Sequence, residues 1–264
     1  MSAAPQPAVP FAAASSAHLT GWRIAFVSKD AIPAGASLAI DDSAELFARC
    51  ERADAAQLLA GAAPACDLQL LAVSLAAPPD VHAESEAWAR AGGEIVEARM
   101  KTARALAAQD RALVVAASEQ LADSIDAVVR YCAIARGVNT LEKNVARALA
   151  GLDAKAARDA PAPSSADAAN AKRSLLRWQR AIEQFQPGLP QQSQRLFGEL
   201  DEAGRLEERI EMLEDPIQAI YDFCALGSER KHYYVGIVTE VAILAVLGLE
   251  LAVMIYQAVY LPKG

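Results

Sequence analysis

The chain has 264 residues and a formal net charge of −8, with no run of Lys and Arg to build the basic patch of a nucleic-acid surface, so no nucleic-acid partner is expected. Hydrophobic residues reach 53%, much of it Ala, while aromatics are only 6%, a composition that favours closely approaching helices over a large β-sandwich. Cys50, Cys66, Cys132 and Cys224 lie far apart, and His18, His82 and His232 add no ligand spacing, so neither a metal site nor a cofactor is expected.

Residues 1–20 carry Pro5, Pro7 and Pro10 and no Lys or Arg, which excludes a signal peptide and reads as a disordered arm. Residues 21–82 read as a small α/β module. "WRIAFVS" (Trp22 to Ser28) predicts a strand, followed by a turn at Pro33-Ala34-Gly35. "DDSAELFARCERADAAQLLAG" predicts a short helix with Asp42 or Ser43 as N-cap and Gly61 as C-cap, and Asp67 to Ala76 a second strand.

Residues 83–152 read as helical, interrupted at Gly92-Gly93, with natural stops at Gly137 and Gly151. Leu121, Ile125, Val128 and Cys132 recur at helical spacing and mark one buried stripe. Residues 153–172, rich in Ala, Pro, Ser and Asp, have too little apolar side chain to fold alone and read as a linker.

Residues 173–232 carry the strongest period. Leu196, Ala203, Ile210, Ile217 and Cys224 are seven apart, with Leu206, Leu213 and Ile220 interleaved. That is an a/d heptad seam, which packs either within its own chain or against another copy. Pro216 keeps the phase on both sides and predicts a kink or a tight restart.

Residues 233–260 read as a transmembrane helix, since Val235 to Tyr256 would span about 33 Å at about 1.5 Å per residue. Tyr233, Tyr234, Tyr256 and Tyr260 bracket it, and Arg230 and Lys231 precede it. The positive-inside rule then predicts a tail-anchored, single-pass protein of the bacterial inner membrane, N-terminus in the cytoplasm, or of the mitochondrial inner membrane in a eukaryote. Glu240 and Glu250 share a polar stripe with Gln257, while Gly248 and Ala252 form a small-residue face on the other side. Carboxylates in such a helix call for a partner helix, so a homo-oligomer in contact with membrane lipid is expected.

The order of these parts resembles the family named for the protein required for meiotic nuclear division. The resemblance rests on Leu121-Ala122-Asp123-Ser124 in one helix, on Leu206, Arg209 and Leu213 in a long helix, and on Glu240 and Glu250 in the last segment. It implies a membrane-tethered, non-enzymatic oligomer, associated in mitochondrial relatives with the translation machinery at the inner membrane.

No GxSxG, Walker, GxGxxG or HExxH motif is present, and Asp41-Asp42 fits a helix N-terminus better than a catalytic pair. The fold class expected is mainly α, with a small α/β front, a helical bundle or coiled-coil hairpin, and one membrane helix. The function expected is a scaffold or tether that oligomerises and presents its front module to a cytoplasmic protein partner. The alternative is an oligomeric membrane effector or an ion or proton channel using the glutamates.

Overall fold

The computed structural model describes residues 18–28, 37–39, 46–61, 66–156, 164–183 and 190–260. The chain divides into two units, Met1–Val145 with Arg173–Glu214, and Ala146–Lys172 with Asp215–Gly264.

The first unit is built on a seven-stranded mixed sheet of order β2-β3-β1-β4-β7-β6-β5. Its strands are β1 (Leu19–Ser28), β2 (Ser37–Ala39), β3 (Leu46–Ala53), β4 (Leu68–Ser74), β5 (Val96–Arg99), β6 (Ala103–Ala107) and β7 (Arg111–Ala116). β1 lies antiparallel between β3 and β4, and β4 pairs in parallel with β7. The parallel pair requires a crossover, which helix α2 (Pro79–Arg90) and the β5–β6 hairpin supply. Helix α1 (Ala55–Leu59) starts at Asp54, whose carboxylate accepts from the Ala56 N–H.

The alternation of each strand sorts two cores. On one face Leu71, Val73, Leu106, Leu113 and Val115 pack with Leu58 of α1 and Trp88 of α2. On the other face β5, β6 and β7 present Ala98, Ala105 and Ala112, all buried. Such small side chains let a covering element approach closely. The end of the first face is tied by an ion network: Arg104 makes a bidentate pair with Glu86 of α2 at 2.7 and 2.8 Å and holds Glu97 of β5 at 2.7 Å.

Four further helices follow: α3 (Leu121–Ala156), α4 (Ser165–Glu183), α5 (Gln191–Gly204) and α6 (Leu206–Tyr260). α3 is buried around most of its circumference over residues 124–134. Arg136 ties it to β4 by donating to the Asp67 carboxylate at 2.7 Å. Gly137 is where Trp178 of α4 lies on α3, because a Cβ there would overlap the indole ring. α4 opens with a capping box in which Ser164 and Asp167 bond each other's backbone N–H. α5 packs on edge strand β5, which closes that side of the sheet.

The mainly-α expectation with a small α/β front is corrected by this sheet, which reaches Ala116, inside the stretch expected to be helical. β6 and β7 are Ala- and Leu-rich and buried on both faces, so they show no alternation to separate strand from helix. Likewise Leu46–Ala53 is strand β3 rather than helix, because pairing with β1 and β2 overrides its modest helix preference. Neither Gly137 nor Gly151 stops α3, and α6 runs through Pro216 unbroken. Residues 1–17 of the expected arm, the turn at Pro33-Ala34-Gly35, the caps Asp42 and Ser43 and residues 157–163 of the linker lie outside the described residues, whereas Leu19 and Thr20 open β1 and linker residues 153–156 and 165–172 belong to helices α3 and α4.

The transmembrane helix is corrected as well. Among the described residues no helix is long and apolar enough to cross a membrane. The single-pass, tail-anchored topology and the bacterial or mitochondrial inner-membrane location therefore fall with it. α6 is charged through its first five turns, and its described apolar stretch, 237–247, is interrupted by Glu240.

Candidate functional site

The first unit contains a cleft of about 790 Å³ between the loop Gly92-Gly93-Glu94-Ile95, the middle of α3, and the corner where α5 meets α6. The corner forms because α5 ends at Gly204 and Arg205 adopts a left-handed conformation, φ 52°, before α6 starts. Asp201 stabilises this reversal by accepting from the backbone N–H groups of Leu206 and Glu207, the exposed donors of the new helix. Gly204 is required for a second reason: a Cβ at that position would collide with the Tyr131 hydroxyl.

Arg209 lies at the α6 wall. Its Nε and Nη2 donate to the two Glu142 oxygens at 2.8 and 2.7 Å, and Nη2 also donates to the Asn139 side-chain oxygen. The Glu142 hydrogen bonds push the Arg209 guanidinium further up. Arg205 pairs in turn with Glu208, and Arg136 with Asp67. Tyr131, 3% exposed, sits edge-on to Phe197, and burial pushes its phenol up. Burial also pushes the Cys132 thiol up to about 12, which leaves it a thiol rather than a nucleophilic thiolate at neutral pH. Arg136, Arg205 and Arg209 of the cleft wall are thus each paired with a carboxylate, and the Arg205 and Arg209 pairs hold the α5–α6 corner. Among the described residues no group of three His, Cys, Asp or Glu could hold a metal ion.

Of the heptad residues, Ala203 lines the cleft. Leu196 of α5 and Leu206, Ile210, Leu213, Ile217 and Ile220 of α6 are buried within the chain, whereas Ala203 is exposed. The seam is therefore broken at Arg205 into two helices and occupied by the chain's own side chains. Past Cys224 the situation reverses. Ile237, Val238, Val241, Ile243, Leu244, Val246 and Leu247 are all exposed, Leu244 at 68%, and Glu240 is exposed among them. The side chains of Arg230, Lys231, Gly248, Glu250, Ala252 and Gln257 lie outside the described residues, although the α6 backbone continues through them.

Of the residues that carry the family resemblance, Leu206 and Leu213 point into the core and Arg209 into the cleft. Asp123 accepts through its backbone oxygen from the Ser193 hydroxyl at 3.0 Å, and Ser124 is buried. Sequence reasoning missed Tyr131, Asn139 and Glu142. The available signal was the polar row Arg136, Asn139, Lys143 at helical spacing. No family model matches the chain, and no curated protein is similar enough in sequence to count as a match.

Proposed function

We propose that this chain is a non-enzymatic scaffold that self-associates through the apolar stretch of α6 and so clusters several copies of its α/β unit for a protein partner. The observation that supports it is the exposure, in one chain, of seven large aliphatic side chains within the eleven residues 237–247. Isolated exposed apolar residues are ordinary on a protein surface, but a contiguous group of this kind marks an association site. A second copy is the occupant favoured. Ile237, Leu244 and Leu247 follow a three-and-four spacing with Glu240, and helices of the same period and composition complement one another across a symmetry axis. The oligomeric, non-enzymatic character implied by the family resemblance agrees with this reading.

The test is the mass of the full chain by light scattering, with wild type and the double variant Ile237→Gln, Leu244→Gln. Wild type should run as an oligomer and the double variant should shift to monomer with its helicity kept. A wild-type monomer across the accessible concentration range removes the reading.

A further inference from the structure

We propose that the cleft of the first unit binds a small monocarboxylate, its acid group held by Tyr131 and Arg209 and its apolar body lying against Ile95 and Met212. The site is independent of the oligomer reading, because every residue that lines it belongs to the first unit. Tyr131, Ala135, Asn139 and Lys143 of α3 line it at four-residue spacing, and such a row follows one face of a helix. Ala135 places only a methyl group between the two polar side chains beside it.

Tyr131 carries the observation that points to a ligand. The residue is 3% exposed and lines the cleft, yet its hydroxyl has no hydrogen-bond partner among the described residues. Polar groups this deeply buried are ordinarily partnered. Burial pushes the phenol up, so it stays protonated and can donate. Arg209 reaches the same space from α6 and acts on Tyr131 electrostatically. Glu142 and Asn139 engage its Nε and Nη2, which fixes the guanidinium and leaves Nη1 without a partner among the described residues. Asn139 accepts through its oxygen, so its amide N–H groups remain as donors.

The unengaged groups on these two walls are thus donors, and an acceptor-only anion completes them. The surrounding charges decide which anion. Each arginine of the wall already has its carboxylate, which leaves Lys143 as the cation without an ion pair among the described residues that line the cleft. Glu94, on the facing loop, stands close enough to act on Arg209 and would repel a second negative charge. One charge is matched and two are not, which favours a carboxylate over a phosphate ester. Ile95 and Met212, the latter 61% exposed, supply apolar surface for the rest of the molecule. A cleft of about 790 Å³ is within the range that holds small organic ligands.

The experiment is a saturation-transfer NMR titration of the full chain with benzoate and hexanoate, each up to about 20 mM, beside benzamide and phenyl phosphate. At least one carboxylate should saturate with a dissociation constant of about 1 mM or tighter. Benzamide, which has the shape of benzoate without the charge, should bind at least about tenfold more weakly than benzoate. Tyr131→Phe keeps the ring edge-on to Phe197 and removes a hydroxyl that no described residue accepts. Its unfolding midpoint should be unchanged while carboxylate binding weakens by about three- to tenfold. Lys143→Gln, an exposed change, should weaken binding by about two- to fivefold and raise its salt independence. Arg209 is left intact, because its pairs hold the α5–α6 corner. No saturable binding of either carboxylate overturns the proposal, as does binding that neither variant changes. Benzamide equal to benzoate, or phenyl phosphate tighter than benzoate, overturns the assignment to a monocarboxylate.

Discussion

Leu71 in β4 and Leu244 in α6 are the same residue in two regions that use it in opposite ways. Leu71 is fully buried, between β1 and β7 and against the α1–α2 core, while Leu244 is 68% exposed. The α/β unit spends its apolar side chains on its own interior. The described apolar stretch of α6 leaves its side chains exposed. The difference separates what folds the chain from what the proposed assembly would use, and each region is open to a change that tests it alone.

The largest effect is expected in the sheet. Leu71→Ala removes side-chain contacts from a site that cannot collapse, since the strands on both sides are held by backbone ladders. It should cost about 2–5 kcal/mol of unfolding free energy. Trp22, Trp88 and Trp178 all belong to the first unit, so urea unfolding followed by tryptophan fluorescence reports that unit alone. An unchanged midpoint would contradict the burial of Leu71.

A smaller effect is expected at the ion network on the same unit. Hydrogen bonds from Arg104, and then from Arg90, hold the Glu86 carboxyl down at about 2, against an ordinary value of 4.5. A depressed carboxylate contributes stability that is fully present above its unfolded value and is lost as pH falls towards its folded one. Wild type should therefore lose stability between about pH 4.5 and pH 2, and Glu86→Gln should lose less by about 1–2 kcal/mol after allowance for partial solvent screening. Parallel unfolding curves for the two proteins through that range would show that the network contributes nothing.

How far the sequence disclosed this arrangement varies by element. β1 and β4 were legible because aromatic and branched residues cluster there between turn signals. β6 and β7 were not, since Ala and Leu favour a helix locally and it is the pairing of β7 with β4, and of β6 and then β5 beyond it, that makes this segment sheet. Of the heptad from Leu196 to Ile220, Leu196, Leu206, Ile210, Leu213, Ile217 and Ile220 are buried and Ala203 is exposed, and the repeat hid the reversal at Arg205, because the seven-residue spacing runs across the break in phase. Gly204, a helix-stop residue in the middle of that repeat, carried the contrary signal. The cleft was almost illegible: Glu142 and Arg209 are 67 positions apart, and nothing in either local pattern indicates the other.

The last prediction makes the comparison at fixed chemistry. Leu244→Ala deletes the same atoms as Leu71→Ala, but from a side chain the chain itself does not bury. No cavity forms, and Ala is at least as good a helix former as Leu, so the unfolding of the tryptophan-reporting unit should shift by no more than about 0.5 kcal/mol. The measurement belongs at a protein concentration low enough to keep the chain monomeric, because assembly would otherwise stabilise wild type by mass action and imitate a folding effect. At higher concentration the ordering of the two variants should invert. Leu71→Ala, once folded, should assemble as wild type does, since Leu71 is fully buried in the sheet. Leu244→Ala should assemble more weakly, by about 1–3 kcal/mol if the side chain is buried between copies. A Leu244→Ala protein that is destabilised as a monomer would mean that α6 beyond residue 237 packs on its own chain, and the division between folding and assembling surfaces would have to be withdrawn.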